Sequence, residues 1–190
     1  MVTTVGRRRI GVDVDGVLAD HVTALIPRVL DKYGVELRWE EANQWRLPLG
    51  DSDIGVEFVE AMVDLEWVAG IPVYQDAAEA VGELASVAEV VIITARPPVA
   101  AEATQAWLHR HQVPYDQFMC GPELDRNRQD LAMLVDDYVG NIYEFVAHTA
   151  GIGVLLDRPW NRDDREDLGT VGGTGRFYVV QSLREVVGLL

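Results

Sequence analysis

The chain has 190 residues, of which 48% are hydrophobic and 25% charged, and its formal net charge at pH 7 is −15. This length and composition predict one soluble globular core with room for a small inserted subdomain. The acidic balance argues against a duplex DNA or RNA partner, because the surface would repel a polyphosphate backbone. A small anionic ligand is not excluded, since a local site can be positive on a negative protein.

Cysteine content and hydropathy bear on the cell compartment. Cys120 is the only cysteine, so no disulfide can form within the chain, which fits a reducing cytoplasm. No run of about 18 apolar residues occurs, so no membrane span is expected. The basic run at 7–9 is followed by Asp13 and Asp15 rather than by an apolar stretch, which argues against a signal peptide. We therefore expect a cytoplasmic protein.

Strand and helix patterns alternate along most of the chain. The pattern predicts strands at 10–14, 90–94, 117–120, 131–135, 152–156 and 177–180, and helices at 19–33, 76–88, 99–111 and 139–149. Pro27 is expected to kink or break the first helix, and Ser182 to cap a last helix that runs to Leu190. Residues 35–72 lack this alternation and indicate a small helical insertion. The alternation elsewhere predicts an α/β fold, with a parallel sheet between helices on both faces.

Polar motifs follow three of the predicted strands. The first strand ends in Asp13-Val14-Asp15-Gly16, another in Thr94-Ala95-Arg96, and a third in Asp136-Asp137. In a parallel sheet all three motifs lie at the same edge, where ligands bind. Each motif alone has an ordinary explanation as a turn, a strand end or a helix cap. Their occurrence together, each at a strand end, favours a catalytic site.

The residue types predict metal-dependent phosphoryl chemistry. The clustered aspartates would repel one another unless a divalent cation neutralised them, and hard oxygen ligands favour Mg²⁺. Asp13 near that metal is suited to be the nucleophile, and Asp15 to be the general acid and base. The Gly16 amide, the Thr94 hydroxyl and the backbone amides near Ala95 are expected to hold phosphate oxygens.

This set of motifs resembles the haloacid dehalogenase (HAD) superfamily. The resemblance rests on residues 13–20, on Thr94 and on 135–137. It implies a Rossmann-like core formed by residues 1–16 and 73–190, with a small helical cap at 17–72. It also implies that Asp13 is the nucleophile, that Thr94 binds phosphate, and that Asp13, Asp15 (through its carbonyl), Asp136 and Asp137 form the Mg²⁺ site. We assign metal binding mainly to Asp136, and to Asp137 a shared role in orienting the nearby cation.

Within the superfamily the chain is most similar to the 5'(3')-deoxyribonucleotidases. The similarity lies in Leu18-Ala19-Asp20, in the short cap with Leu65-Glu66-Trp67, and in the segment 157–161. It implies a small phosphorylated substrate, with nucleoside monophosphates and especially deoxyribonucleotides expected, and it allows a homodimer. One departure concerns the lysine that the family places before the third motif. The only lysine here is Lys32, and Arg126, or else Arg128, stands near the expected position.

Several interpretations stay open at this stage. Arg96 is either a substrate contact or a surface charge, Asp20 either a substrate contact or a helix cap, and Trp67 is the aromatic residue that we expect to face the substrate. The four histidines lack metal-ligand spacing and are interpreted as non-catalytic. Two alternatives remain for function: a phosphatase of sugar phosphates or other small phosphomonoesters, and a non-catalytic nucleotide- or metal-binding protein that lost turnover together with the lysine.

Overall fold

A parallel six-stranded sheet forms the centre of the protein. The computed structural model describes residues 7–168 and 175–190. Within these ranges the strand order is β5-β4-β1-β6-β7-β8, and all neighbouring pairs are parallel. The strands of this sheet are β1 (Arg9–Val12), β4 (Glu89–Thr94), β5 (Gln117–Cys120), β6 (Met133–Asp136), β7 (Ile152–Leu156) and β8 (Phe177–Val180). The predicted α/β fold class is confirmed.

Helices cover both faces of this sheet. The described helices are α1 (His21–Tyr33), α2 (Ile54–Ala61), α3 (Leu65–Gly70), α4 (Ala77–Val87), α5 (Ala101–Arg110), α6 (Val139–His148) and α7 (Leu183–Val187). Along β4 the side chains alternate, so that Val90 and Ile92 pack in one apolar cluster while Val91 and Ile93 pack in a second cluster on the opposite face. This burial on both faces explains the continuous β-branched run in the sequence.

Two local predictions hold only in part. Helix α1 continues through Pro27, so there is no break at this residue. Ser182 precedes α7, which ends at Val187 rather than at Leu190, but its side chain makes no capping hydrogen bond. The Ser182 hydroxyl donates to the Glu185 carboxylate at 3.4 Å instead.

The segment between β1 and α4 has its own small apolar cluster. It contains α1, α2, α3 and an antiparallel ribbon of β2 (Pro48–Leu49) and β3 (Ser52–Asp53), which the sequence did not predict. Buried residues that include Leu25, Leu49 and Ile54 pack together here, and Trp160 from the main body joins them. The two connections of this segment to the main body are joined to each other, since Asp20 N donates to Pro72 O at 2.8 Å and Tyr74 N to Leu18 O at 2.9 Å.

No helix among residues 7–168 and 175–190 is long and apolar enough to cross a membrane.

Candidate active site

Three adjacent strands bring the sequence motifs to one edge of the sheet. β1 lies between β4 and β6, with Val12 in register with Ile92 and with Val135. The Asp13 amide extends this pairing by donating to the Val135 carbonyl at 3.0 Å. The carboxyl ends of the three strands therefore meet, and the side chains that follow them are buried together: Asp13, Asp15, Thr94, Arg96, Asp136 and Asp137.

Asp13, Asp136 and Asp137 form a compact group of buried carboxylates. One oxygen from each lies within 4.8 Å of the others. Burial, together with the charge of Asp136, raises the pKa of Asp13 well above its usual range, against the opposing effect of Arg126. Burial and the charge of Asp136 likewise raise the pKa of Asp137. The Asp13 Oδ1 atom is buried and has no hydrogen-bond partner. Such a donor set fits a divalent cation, which would satisfy the orphaned oxygen and remove the repulsion.

The two aspartates after β6 have different surroundings. The Asp136 carboxylate accepts hydrogen bonds from the Tyr138 amide at 2.9 Å and from the Asn141 side chain at 2.8 Å. It also lies 3.5 Å from Arg126 Nε. Asp137 lines the cavity of the site, and its Oδ2 accepts a hydrogen bond from the Trp160 indole at 2.7 Å. Of the two aspartates, Asp136 is therefore the one that contacts the neighbouring cation, and Asp137 is the one that faces the cavity.

Arg126 is that cation. Its side chain is 9% exposed, and its Nη2 lies 3.9 Å from Asp13 Oδ1. Its Nε and Nη2 atoms are buried without hydrogen-bond partners. The guanidinium thus holds a positive charge between the first and third motifs and keeps N–H groups available for an anion. The side chain of Arg128, the other candidate from the sequence, lies outside the described residues.

Thr94 and Ala95 line the cavity as expected, but Gly16 has a different role from the predicted one. The Thr94 hydroxyl oxygen accepts a hydrogen bond from the Arg96 amide at 3.2 Å, which leaves its own proton to donate. The Gly16 amide donates to the Ala19 carbonyl at 2.9 Å, so it does not face a phosphate. Gly16 has φ +75°, and a Cβ there would lie 2.0 Å from Asp137 Oδ2. Glycine is required because the turn passes directly against the Asp137 carboxylate.

Asp15 does not join the carboxylate group. Its two carboxylate oxygens accept hydrogen bonds from Arg96, with Nε to Oδ2 at 2.8 Å and Nη2 to Oδ1 at 2.7 Å. Arg96 is only 2% exposed, which excludes the interpretation as a surface charge. Both residues line the cavity.

The cavity in front of these residues has a volume of about 470 Å³. Its polar wall comes from the three motifs, and its apolar wall from the segment that contains α1 to α3: Trp45, Phe58, Val59, Met62 and Val63. Among the described residues, those that line the cavity do not include Trp67 or Asp20. The Trp67 indole donates to the Ala24 carbonyl at 3.1 Å. Asp20 accepts from the Thr23 amide at 3.1 Å and from the Trp39 indole at 3.0 Å, so it is a helix cap.

Side chains that follow β7 donate hydrogen bonds to backbone carbonyls of the site, and the sequence did not reveal these contacts. Arg158 Nε donates to the Gly16 carbonyl at 2.6 Å, and its guanidinium lies 4.3 Å from the Tyr74 ring centre. The Asn161 side chain donates to the backbone carbonyls of Asp137 and Leu156, at 2.7 and 2.8 Å. Segment 157–161 stood out in the sequence only through its family resemblance, because nothing local indicates these distant partners.

Solved structures with the same fold are hydrolases. A haloacid dehalogenase-like hydrolase from Streptococcus pneumoniae is 12% identical, with a TM-score of 0.64 over 96% of this chain and 98% of that chain. An L-2-haloacid dehalogenase from Xanthobacter autotrophicus is 14% identical, with a TM-score of 0.60 over 96% of this chain and 98% of that chain. These likenesses show the HAD fold, and no curated protein sequence matches the chain.

A sequence profile gives the finer assignment. The profile described as "5' nucleotidase, deoxy (Pyrimidine), cytosolic type C protein" matches residues 7–169. This range contains all three motifs, Arg126 and the whole segment that forms the apolar wall of the cavity. The chain therefore belongs to the cytosolic type C 5'-deoxynucleotidase family, within the HAD superfamily of hydrolases.

Proposed function

We propose that the protein is a Mg²⁺-dependent phosphomonoester hydrolase that acts on nucleoside monophosphates, in particular deoxyribonucleotides. One observation carries the proposal. Asp13 belongs to the carboxylate group, and its buried, unpartnered Oδ1 lies 3.9 Å from the unpartnered Nη2 of Arg126. A nucleophile in this position has a place for a metal on one side and for a phosphoryl anion on the other. The family profile supports the nucleotide substrate.

The side chains of the site would divide the chemistry between them. Asp13 attacks phosphorus, the bond from phosphorus to the ester oxygen breaks, and that oxygen takes a proton from Asp15. Water then attacks the aspartyl-phosphate while Asp15 accepts its proton, and inorganic phosphate leaves. Thr94 and Arg126 hold the phosphoryl oxygens as negative charge moves during both steps.

Asp13, Asp136, Asp137 and the Asp15 carbonyl would hold the metal ion. When bound, Mg²⁺ neutralises these carboxylates and polarises the phosphoryl group. Residues 17–72 act in this proposal as a cap, whose apolar side chains exclude water from the reacting groups and contact the leaving group. The protein would thus work as a small cytoplasmic enzyme of nucleotide metabolism.

The carboxylate group of Asp13, Asp136 and Asp137 also favours phosphate-ester hydrolysis over dehalogenation. Several solved structures with this fold are dehalogenases. A haloacid is itself an anion. In the absence of a divalent metal, the three buried carboxylates outweigh the positive charge of the Arg126 guanidinium beside them and would repel the haloacid. The same three carboxylates favour a substrate that binds together with a divalent metal.

Release of phosphate from a panel of phosphate esters tests the proposal, and release of halide from a 2-haloacid tests the alternative. The esters are ribo- and deoxyribonucleoside monophosphates and sugar phosphates, and every compound is assayed with Mg²⁺ and with EDTA. We expect Mg²⁺-dependent release from deoxyribonucleotides that Asp13→Asn abolishes and that Asp31→Asn, at an exposed position of α1, leaves unchanged. Equal rates on sugar phosphates would retain the mechanism and remove the nucleotide preference. No release from any compound would favour a binding protein.

A further inference from the structure

The cavity contains two buried arginines with different hydrogen-bond partners. Arg126 keeps its Nε and Nη2 atoms free of hydrogen bonds. Arg96 instead uses Nε and Nη2 on the two oxygens of Asp15, 81 positions away in sequence. Two parallel N–H···O bonds of this kind fix the plane of the carboxylate as well as its distance. Of these two cations, Arg126 is therefore the one available to a phosphoryl group.

Arg96 is itself held in place from a second direction. Its Nη1 donates to the Thr104 hydroxyl at 3.0 Å, and that hydroxyl donates to the Ala100 carbonyl at 2.8 Å. Thr104 lies in α5 and is fully buried. The chain of contacts thus runs from α5 through the guanidinium to the loop after β1. A lysine could not replace it, because one ammonium group cannot contact both Asp15 oxygens and Thr104 with the same geometry.

We propose that Arg96 is a positioning residue that sets the orientation of the Asp15 carboxylate toward the ester oxygen of the substrate. The inference rests on the proposed function, in which Asp15 transfers the proton to that oxygen. It replaces the expectation that Arg96 contacts the substrate directly. An oriented proton donor contributes typically about 10²–10⁴-fold to the rate.

Leaving-group dependence separates this role from phosphate binding. Benzyl phosphate releases a strongly basic alkoxide and needs the proton from Asp15, whereas para-nitrophenyl phosphate releases a stable phenolate and does not. The value of kcat/KM reports the steps up to departure of this group, so only the benzyl ester depends on Asp15. Arg96→Met should lower kcat/KM for the benzyl ester at least about tenfold more than for the nitrophenyl ester, which is a fraction of the contribution of a proton donor.

The experiment combines this pair of esters with a double-mutant cycle. We expect Asp15→Asn to show the same selective loss, and Asp15→Asn/Arg96→Met to be no worse than Asp15→Asn alone, because residues that act through one another are not additive. Thr104→Val, which keeps the volume and removes the hydroxyl, should give a weaker loss of the same selectivity. If Arg96→Met does not fold, Thr104→Val still tests whether Asp15 depends on this chain of contacts. Arg96→Lys should fail to restore the rate.

The outcomes distinguish the inference from its alternatives. Equal losses on both esters with raised KM and additive effects in the cycle would make Arg96 a phosphate-binding residue and overturn the proposal. Equal losses in kcat with unchanged KM in both Arg96→Met and Thr104→Val would overturn it in favour of a general structural role. If the wild-type enzyme releases phosphate from neither ester nor from nucleotides, the proposed function fails, whereas activity without the selective loss refutes the role of Arg96 alone.

Discussion

Replacing Asp13 by asparagine should stabilise the metal-free protein while it abolishes turnover. The substitution keeps the shape of the side chain and removes one charge from the group formed with Asp136 and Asp137, whose oxygens lie within 4.8 Å of one another. At an effective dielectric constant of about 20, two charges at that separation repel by about 3 kcal/mol. Asp13 has two such neighbours, and its attraction to Arg126 at 3.9 Å offsets about one of the two repulsions. A net repulsion of about 3 kcal/mol remains.

We therefore expect the free energy of unfolding in EDTA to rise by about 1–3 kcal/mol. For a chain of this size that corresponds to a Tm increase of about 2–10 °C. At saturating Mg²⁺ the Asp13→Asn variant should instead be less stable than the wild type. A ligand at about 100 times its Kd stabilises the native state by about 2.7 kcal/mol, and the variant lacks one of the groups that bind it. Asp31→Asn removes an exposed charge on α1 and should change stability by less than about 0.5 kcal/mol.

The pH dependence of the stability in EDTA follows from the raised pKa values of Asp13 and Asp137. In the native state these groups hold protons at pH values where the unfolded chain has released them. Their contribution to stability is therefore complete below the unfolded pKa of about 4 and is lost as pH rises through the native pKa. Thermal unfolding in EDTA across this range should show a Tm gap between Asp13→Asn and wild type that widens as pH rises. A lower Tm for the variant, or a gap independent of pH, would refute the reasoning.

Substitutions at Gly16 and at Arg126 test the geometry of the site. Gly16→Ala places a Cβ 2.0 Å from Asp137 Oδ2 at φ +75°, so we expect a loss of about 2–5 kcal/mol in thermal unfolding together with loss of Mg²⁺-dependent activity. Gly34→Ala has a similar φ of +67° with nothing within 4 Å, and should lose only about 1–2 kcal/mol and retain activity. Arg126→Lys should lower kcat/KM about 3–10-fold, and Arg126→Met about 100-fold or more, in assays of phosphate release. A gain in rate on introducing lysine would contradict the fit of arginine to this site.

The sequence predicts the parts of this structure that depend on local pattern. The run Val90–Thr94 indicates a strand buried on both faces because β-branched residues continue without a polar gap, and the structure places this strand inside the sheet, between β5 and β1. Asp13 and Asp136 could be placed at the same edge because parallel strands have a common direction. These inferences need only the period of the side chains and the identity of the residue at each strand end.

The residues that form the apolar wall of the cavity could not be predicted from local pattern. Trp45 and Trp67 lie in the same inserted segment and are equivalent as residue types. Trp67 follows the N-cap of the short helix α3 and turns its indole toward Ala24, whereas Trp45 stacks on the buried His21 and reaches the cavity. The rotation of each element about its own axis decides which face meets the site. That rotation depends on tertiary packing, which the spacing of apolar residues does not report.

Arg126 and Arg96 together bear on the proposed reaction, because the lysine that the family resemblance implies is missing before the third motif. Loss of that lysine would favour a non-catalytic protein if it left the nucleophile without a cation. The structure instead places Arg126 within 3.9 Å of Asp13 and 3.5 Å of Asp136. Asp15 has a separate guanidinium of its own, so in the proposed mechanism the nucleophile and the proton donor do not share one cation. Arg126 therefore supplies a cation beside the nucleophile, with a planar guanidinium in place of a lysine ammonium.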